Sequence, residues 1–191
     1  MDLPILSFLP PLGVLAPLFL AAVALLAAVQ PGRRAIWARW LPEGAALMAL
    51  ALSLGGAAQY ALGTGAVLSW AGLRADAVGV TMAVLVSFIG WVVLRFAIRA
   101  LDGEAREGRF HALMLTVLAA VLLLVQAGNL LVMALAFVGA GLALRGLLLF
   151  YPQRAGAQRA AAKFSLVWHL GDAALLAAAA LLMLRTGGTG F

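Results

Sequence analysis

Six stretches of about 20 predominantly apolar residues follow one another along the chain, at roughly 8–29, 42–62, 77–98, 110–126, 129–150 and 163–184. A helix rising about 1.5 Å per residue needs about 20 such residues to cross a hydrocarbon core roughly 30 Å thick. The runs are continuous and lack the apolar-out, polar-in alternation of a membrane barrel, so α-helices are predicted. Only Ala127-Gly128-Asn129 separates the fourth run from the fifth, which predicts a tight turn and an antiparallel hairpin. The longest connections, about 63–76 and 99–109, are too short to fold by themselves. The expected fold is all-α: one polytopic membrane domain over residues 1–191, a bundle of six transmembrane helices.

Composition narrows the class. Of the 191 residues 65% are hydrophobic and 10% charged, with a mean hydropathy of +1.10. A water-soluble domain of this size could not cover its surface from such a stock, so lipid is an expected partner. Net charge is +6, and its distribution matters more than its size. Arg33, Arg34 and Arg39 fall in the first connection, Arg95, Arg99, Arg106 and Arg109 in or beside the third, and Arg154, Arg159 and Lys163 in the fifth. The other side has Arg74 and Arg185, and Arg145 falls inside a span. The positive-inside rule makes the basic side cytoplasmic and puts both termini on the non-cytoplasmic side. The first basic residue is Arg33, so a cleaved signal peptide is not expected. Basic residues dispersed among loops argue against nucleic acid as a partner. The lack of cysteine excludes disulfides, thiolate metal sites and thiol nucleophiles.

The candidate chemistry lies in the last apolar run. Asp172 interrupts the span Phe164–Leu184, and an ionisable group at such depth is a functional hypothesis by default. Ser165, His169 and Asp172 recur at i, i+4 and i+7, which places them on one helical face. Asp172 would lie roughly 12 Å deep, about eight residues from the cytoplasmic end of its helix. Two readings stand side by side: a member of a proton or ion relay, or a structural acid paired with a neighbouring base. Arg145 either snorkels to the interface or pairs with Asp172 and holds it ionised. Breaking such a pair would cost about 3–5 kcal/mol. His169 either exchanges protons with Asp172 or packs as a hydrogen-bonded histidine.

Elsewhere the ordinary readings prevail. His111, beside Arg109, is expected at the interface; Trp40, Trp70 and Trp168 suit an aromatic belt. Asp76 is expected to cap the third helix, and Gly139 and Gly141 to admit a neighbouring helix closely. Two histidines on different helices without cysteine argue against a zinc site in this chain. No cofactor is expected, and no catalysis by the chain alone.

Several elements in order carry a resemblance. Asp76-(x)5-Met82, Gly90, Asp102-Gly103 and Arg109-Phe110 are similar to helices 3 and 4 of the antiporter-like membrane subunits of respiratory complex I. Gly128-Asn129-Leu130-Leu131-Val132-Met133 resembles their turn into helix 5. Ala161-Ala162-Lys163-Phe164 with His169-Leu170-Gly171-Asp172 resembles their Lys-containing entry to helix 6 and an Arg-(apolar)-Gly-Asp element. Where proton-pumping members of that family carry Trp-Glu-Gly-(apolar)-Gly in helix 5, this chain reads Phe137-Val138-Gly139-Ala140-Gly141, with Val138 in place of the acid. The segment Leu142 to Pro152 looks more like the branch that partners a zinc protein in the DAB inorganic carbon accumulation complex. The chain ends at Thr186-Gly187-Gly188-Thr189-Gly190-Phe191, before the broken helix 7 of that family.

The resemblance implies a bacterial inner-membrane subunit of a proton- or sodium-coupled complex that energises inorganic carbon uptake by a large zinc-containing partner. It further implies a second antiporter-like polypeptide supplying later helices, or a shortened coupling piece. Asp172 would titrate, His169 would be its proton partner, Arg145 would govern its charge, Lys163 would stand at the cytoplasmic mouth, and Ser165 would complete the stripe. A subunit of a respiratory quinone oxidoreductase or cation antiporter, and a non-conducting scaffold, are the competing readings.

Overall fold

The computed structural model describes residues 12–29, 40–63, 67–70 and 72–186. They form α1 (Leu12–Val29), α2 (Leu41–Leu62), β1 (Leu68–Trp70), β2 (Leu73–Ala75), α3 (Ala77–Ala100), α4 (Glu107–Val125), α5 (Leu130–Leu148) and α6 (Ala155–Thr186). All six helices are long and apolar enough to cross a membrane. The first connection with Arg33, Arg34 and Arg39, the residues before Leu12 and the tail after Thr186 lie outside the described residues.

Helix α4 is central, packing along α1 and α5 and more lightly on α3, while α2 closes against α1 and α3. The shared core is mostly alanine, among them Ala16, Ala46, Ala49, Ala83 and Ala119, filled out by Leu20, Leu94, Leu115 and Leu122. Lipid tails are as apolar as these side chains, so helices associate through close backbone approach and interhelical hydrogen bonds. The Ser53 and Ser87 hydroxyls meet at 2.9 Å inside the α2–α3 contact. Glu43 and Arg95 join the same two helices nearer the basic end, at 3.7 Å. The Arg95 guanidinium also lies 5.5 Å from the centre of the Trp91 ring.

Three features depart from the sequence-based expectations. The connection before α3 contains a two-stranded antiparallel hairpin, pairing Leu68 with Ala75, Ser69 with Arg74 and Trp70 with Leu73. Gly72 turns it with φ +77°, a region open to glycine. The Arg74 amide donates to the Gln126 carbonyl at 2.7 Å and the Gly128 amide to the Gly72 carbonyl at 2.9 Å. The hairpin thus straps the α4–α5 turn, where Asn129 caps α5 by accepting from the Val132 amide at 2.8 Å. Asp76 caps α3 in the same way, accepting from the Gly79 amide at 2.7 Å.

Second, α6 starts at Ala155, eight residues before the expected boundary, and runs for 32 residues. At about 1.5 Å per residue it extends about 48 Å, longer than a bilayer core, so the turns carrying Arg159 project beyond the apolar zone. Periodicity alone located the apolar part of the helix and not its polar extension. Third, the bundle takes in two side chains expected at the membrane interface, His111 and Trp168. His111 is fully buried. Trp168 lies well inside α6 and is docked on α5.

Candidate functional site

Helix α6 packs chiefly along α5 and turns most of its surface outward. Its setting is determined by Trp168, which stacks on Phe137 of α5 with ring centres 4.4 Å apart and planes 12° apart. The Trp168 Nε1–H donates to the Phe137 carbonyl at 3.2 Å, and the Phe164 ring is tilted against the indole with ring centres 5.0 Å apart. The ring fills the notch left by Gly141, where any Cβ would collide with the indole nitrogen. Gly171 is seated against the Phe137 ring in the same contact.

Gly141→Leu should therefore undock α6. An overpacked contact costs about 1–3 kcal/mol, and more where a trapped ring cannot move aside. Helix-pair crosslinking between α5 and α6 in membranes would read this as a loss of crosslink yield, whereas Gly139→Ala, which meets only the Ala120 methyl at 3.9 Å, should keep it.

That docking decides where the polar stripe faces. Asp172 is turned against the bundle with its side chain 10% exposed, whereas the His169 side chain is 53% exposed. The His169 Nδ1 and Asp172 Oδ2 are 3.0 Å apart, a hydrogen bond in which the imidazole N–H donates when the carboxyl is ionised. Asp172 Oδ1 and Ser165 Oγ are buried without a hydrogen-bond partner among the described residues. A buried orphan of this kind costs about 1–3 kcal/mol unless water or another chain meets it. A carboxyl and an imidazole in contact can hold one proton between them and pass it on.

The other sequence candidates stand apart. Arg145 is exposed and makes no ion pair with Asp172 among the described residues. The cause is register: Gly171 sits beside Phe137 and Trp168 beside Gly141, so Arg145 lies two turns, about 12 Å, further toward the basic end. A long side chain exposed there is free to snorkel toward the interface. Lys163 is exposed on α6, and Val138 is half-buried beside Gly139. Among the described residues no three histidine, aspartate or glutamate side chains gather in a way that would hold a metal ion. Sequence reasoning missed the Trp168–Gly141 lock, although both residues were visible; pairing them required knowing the α5–α6 register.

No family model matches the chain. Over 165 residues it is 34% identical to a protein described as "Probable inorganic carbon transporter subunit DabB2" from Halothiobacillus neapolitanus (strain ATCC 23641 / c2). The match covers 83% of this chain and 30% of that protein. Its fold is similar to a chain of respiratory complex I from Thermus thermophilus, solved with bound aureothin, with a TM-score of 0.66 and 23% identity. That likeness covers 94% of this chain and 38% of the other. The chain is a multi-pass membrane protein similar in sequence to this transporter subunit, built on a fold found in complex I, and spans well under half of either relative's length.

Proposed function

We propose that this chain is a subunit of a cation-coupled membrane complex that drives inorganic carbon uptake, in which Asp172 takes up and releases a proton with His169 as its partner. The observation that carries the reading is the Asp172 carboxyl, buried on a membrane helix, hydrogen-bonded to His169 at 3.0 Å and with its second oxygen unmet. A group so placed is costly in lipid and serves a purpose when charge or protons move past it. The described basic residues Arg95, Arg99, Arg106, Arg109, Arg154 and Arg159 lie toward the end of the bundle that the positive-inside rule assigns to the cytoplasm of a bacterial inner membrane. Lys163 and Arg145 belong to this end as electrostatic guides, and Ser165 offers a hydroxyl one turn below His169.

Partners follow from the exposed face of α6. Leu166, Val167, Leu170 and Leu181 all face outward, as does the imidazole of His169. Leucine and valine are content in lipid, but an imidazole at this depth is better met by a protein helix. A further antiporter-like polypeptide on that side is the partner this face suits. A zinc-containing soluble partner would carry out the chemistry on inorganic carbon. The scaffold reading is favoured by one observation, the apolar Val138 at the position where the resembled pumps carry an acid.

Purification of the tagged chain from native membranes in mild detergent, followed by mass spectrometry and metal analysis, tests the reading. Recovery of a zinc protein together with a second antiporter-like polypeptide is expected. Recovery with quinone-linked redox subunits instead would overturn it.

A further inference from the structure

A second buried acid–imidazole pair lies on α4, on another helix and near the basic end of the bundle. Glu107 is 3% exposed and His111 0%, one turn apart, with Glu107 Oε1 3.9 Å from His111 Nδ1. That separation exceeds a direct hydrogen bond. Glu107 Oε1 is buried without a hydrogen-bond partner among the described residues. The pair is covered by aromatic rings: Phe110 meets the His111 ring edge-on at 5.8 Å, and Phe150 meets Phe110 at 5.5 Å. The Arg106 guanidinium, 5.6 Å from the centre of the Phe150 ring, lies over this cover without forming an ion pair to Glu107.

Glutamate in the first turn of a helix ordinarily faces water, where the free N–H groups and solvent both favour its charge. Removing it from water leaves a carboxylate whose charge needs an answer. The neighbouring elements provide few. In its described span α1 carries no ionisable residue, and α5 carries only the exposed Arg145. From α3 come Arg95, engaged with Glu43, and Arg99. Asp102, Glu104 and Arg106 precede α4, Arg109 lines a cleft with Ala28, and Tyr151 and Arg154 stack on each other after α5. The group one turn from Glu107 that can neutralise it by gaining a proton is His111.

We propose that Glu107 and His111 form a proton-binding site at the basic end of the bundle, independent of Asp172. Hydronium gives a proton to His111 Nδ1: an N–H bond forms, a hydronium O–H breaks, and water leaves. Passing that proton to Glu107 Oε1 breaks the N–H and forms a carboxyl O–H, and the pair stays neutral through this second step. A small rotation of either side chain closes the 3.9 Å gap.

Infrared difference spectra of the full chain in lipid, with isotope-labelled glutamate and histidine, test this across a pH titration. One glutamate carboxyl and one histidine ring should titrate together at a common midpoint. Glu107→Gln should remove the carboxyl signal and uncouple the histidine, while Asp172→Asn leaves both unchanged. Absence of a co-titrating glutamate and histidine in the wild-type chain overturns the proposal whether or not either variant folds.

Discussion

Asp172→Asn is expected to abolish coupled activity while leaving the chain at its normal abundance in the membrane. Asparagine matches aspartate in shape, and its Oδ1 can still accept from His169 Nδ1–H, so the contact now 3.0 Å long survives. What is lost is the ability to bind and release a proton. The stability change should stay within about 1 kcal/mol, because a buried orphan carboxylate oxygen is exchanged for a neutral amide of equal volume. Uptake of labelled inorganic carbon by cells carrying the variant should fall to the level of cells lacking the chain, with unchanged abundance by immunoblot. Uptake at the wild-type rate would remove Asp172 from the mechanism. A fall in abundance that tracks the fall in uptake would move it to a structural role. The lack of an Arg145–Asp172 pair sharpens this test, since no buried arginine is stranded by the substitution.

The second large effect concerns the α1–α2 contact, and it is asymmetric. A Cβ on Gly56 would stand 2.6 Å from the Gly13 backbone nitrogen and 2.7 Å from its Cα, both atoms of a rigid helix. A Cβ on Gly13 would meet the Gly56 Cα at 3.6 Å, an ordinary contact. The two glycines touch, but the bond direction at Gly56 aims at α1 while that at Gly13 passes beside α2. Gly56→Ala should therefore push the helices apart and cost about 1–3 kcal/mol, with Gly56→Leu worse. Gly13→Ala should be nearly neutral, or stabilising by up to about 1 kcal/mol through helix propensity. Gly55→Ala is a further contrast, because its nearest neighbour is the flexible end of Leu12 at 3.0 Å. Denaturant titration of the purified chain in detergent separates the three. Equal losses at Gly56 and Gly13 would contradict this packing.

Legibility in the sequence differed by kind of residue. The six spans, the tight α4–α5 turn and the Asp76 cap were readable because each follows from a local rule of run length, turn residues or side-chain reach. The stripe of Ser165, His169 and Asp172 was readable because helical spacing alone puts these residues on one face. The hairpin at Leu68–Ala75 was not, since strands of three residues carry too little periodicity and this one depends on hydrogen bonds to the α4–α5 turn. Depth counted along two separate helices brings Arg145 within reach of Asp172. Only the register of Trp168 in the Gly141 notch shows the two charges about 12 Å apart along the axis.

By itself the chain's order of apolar runs and charges determined a six-helix membrane protein and named the acid and imidazole on its last helix, because burial in lipid constrains length and polarity locally. Tertiary structure decided which way those groups face, which arginine stays out of reach, and that Glu107 and His111 are buried together. Those outcomes depend on how one helix is rotated and shifted against another, which is decided by close contacts between residues far apart in sequence.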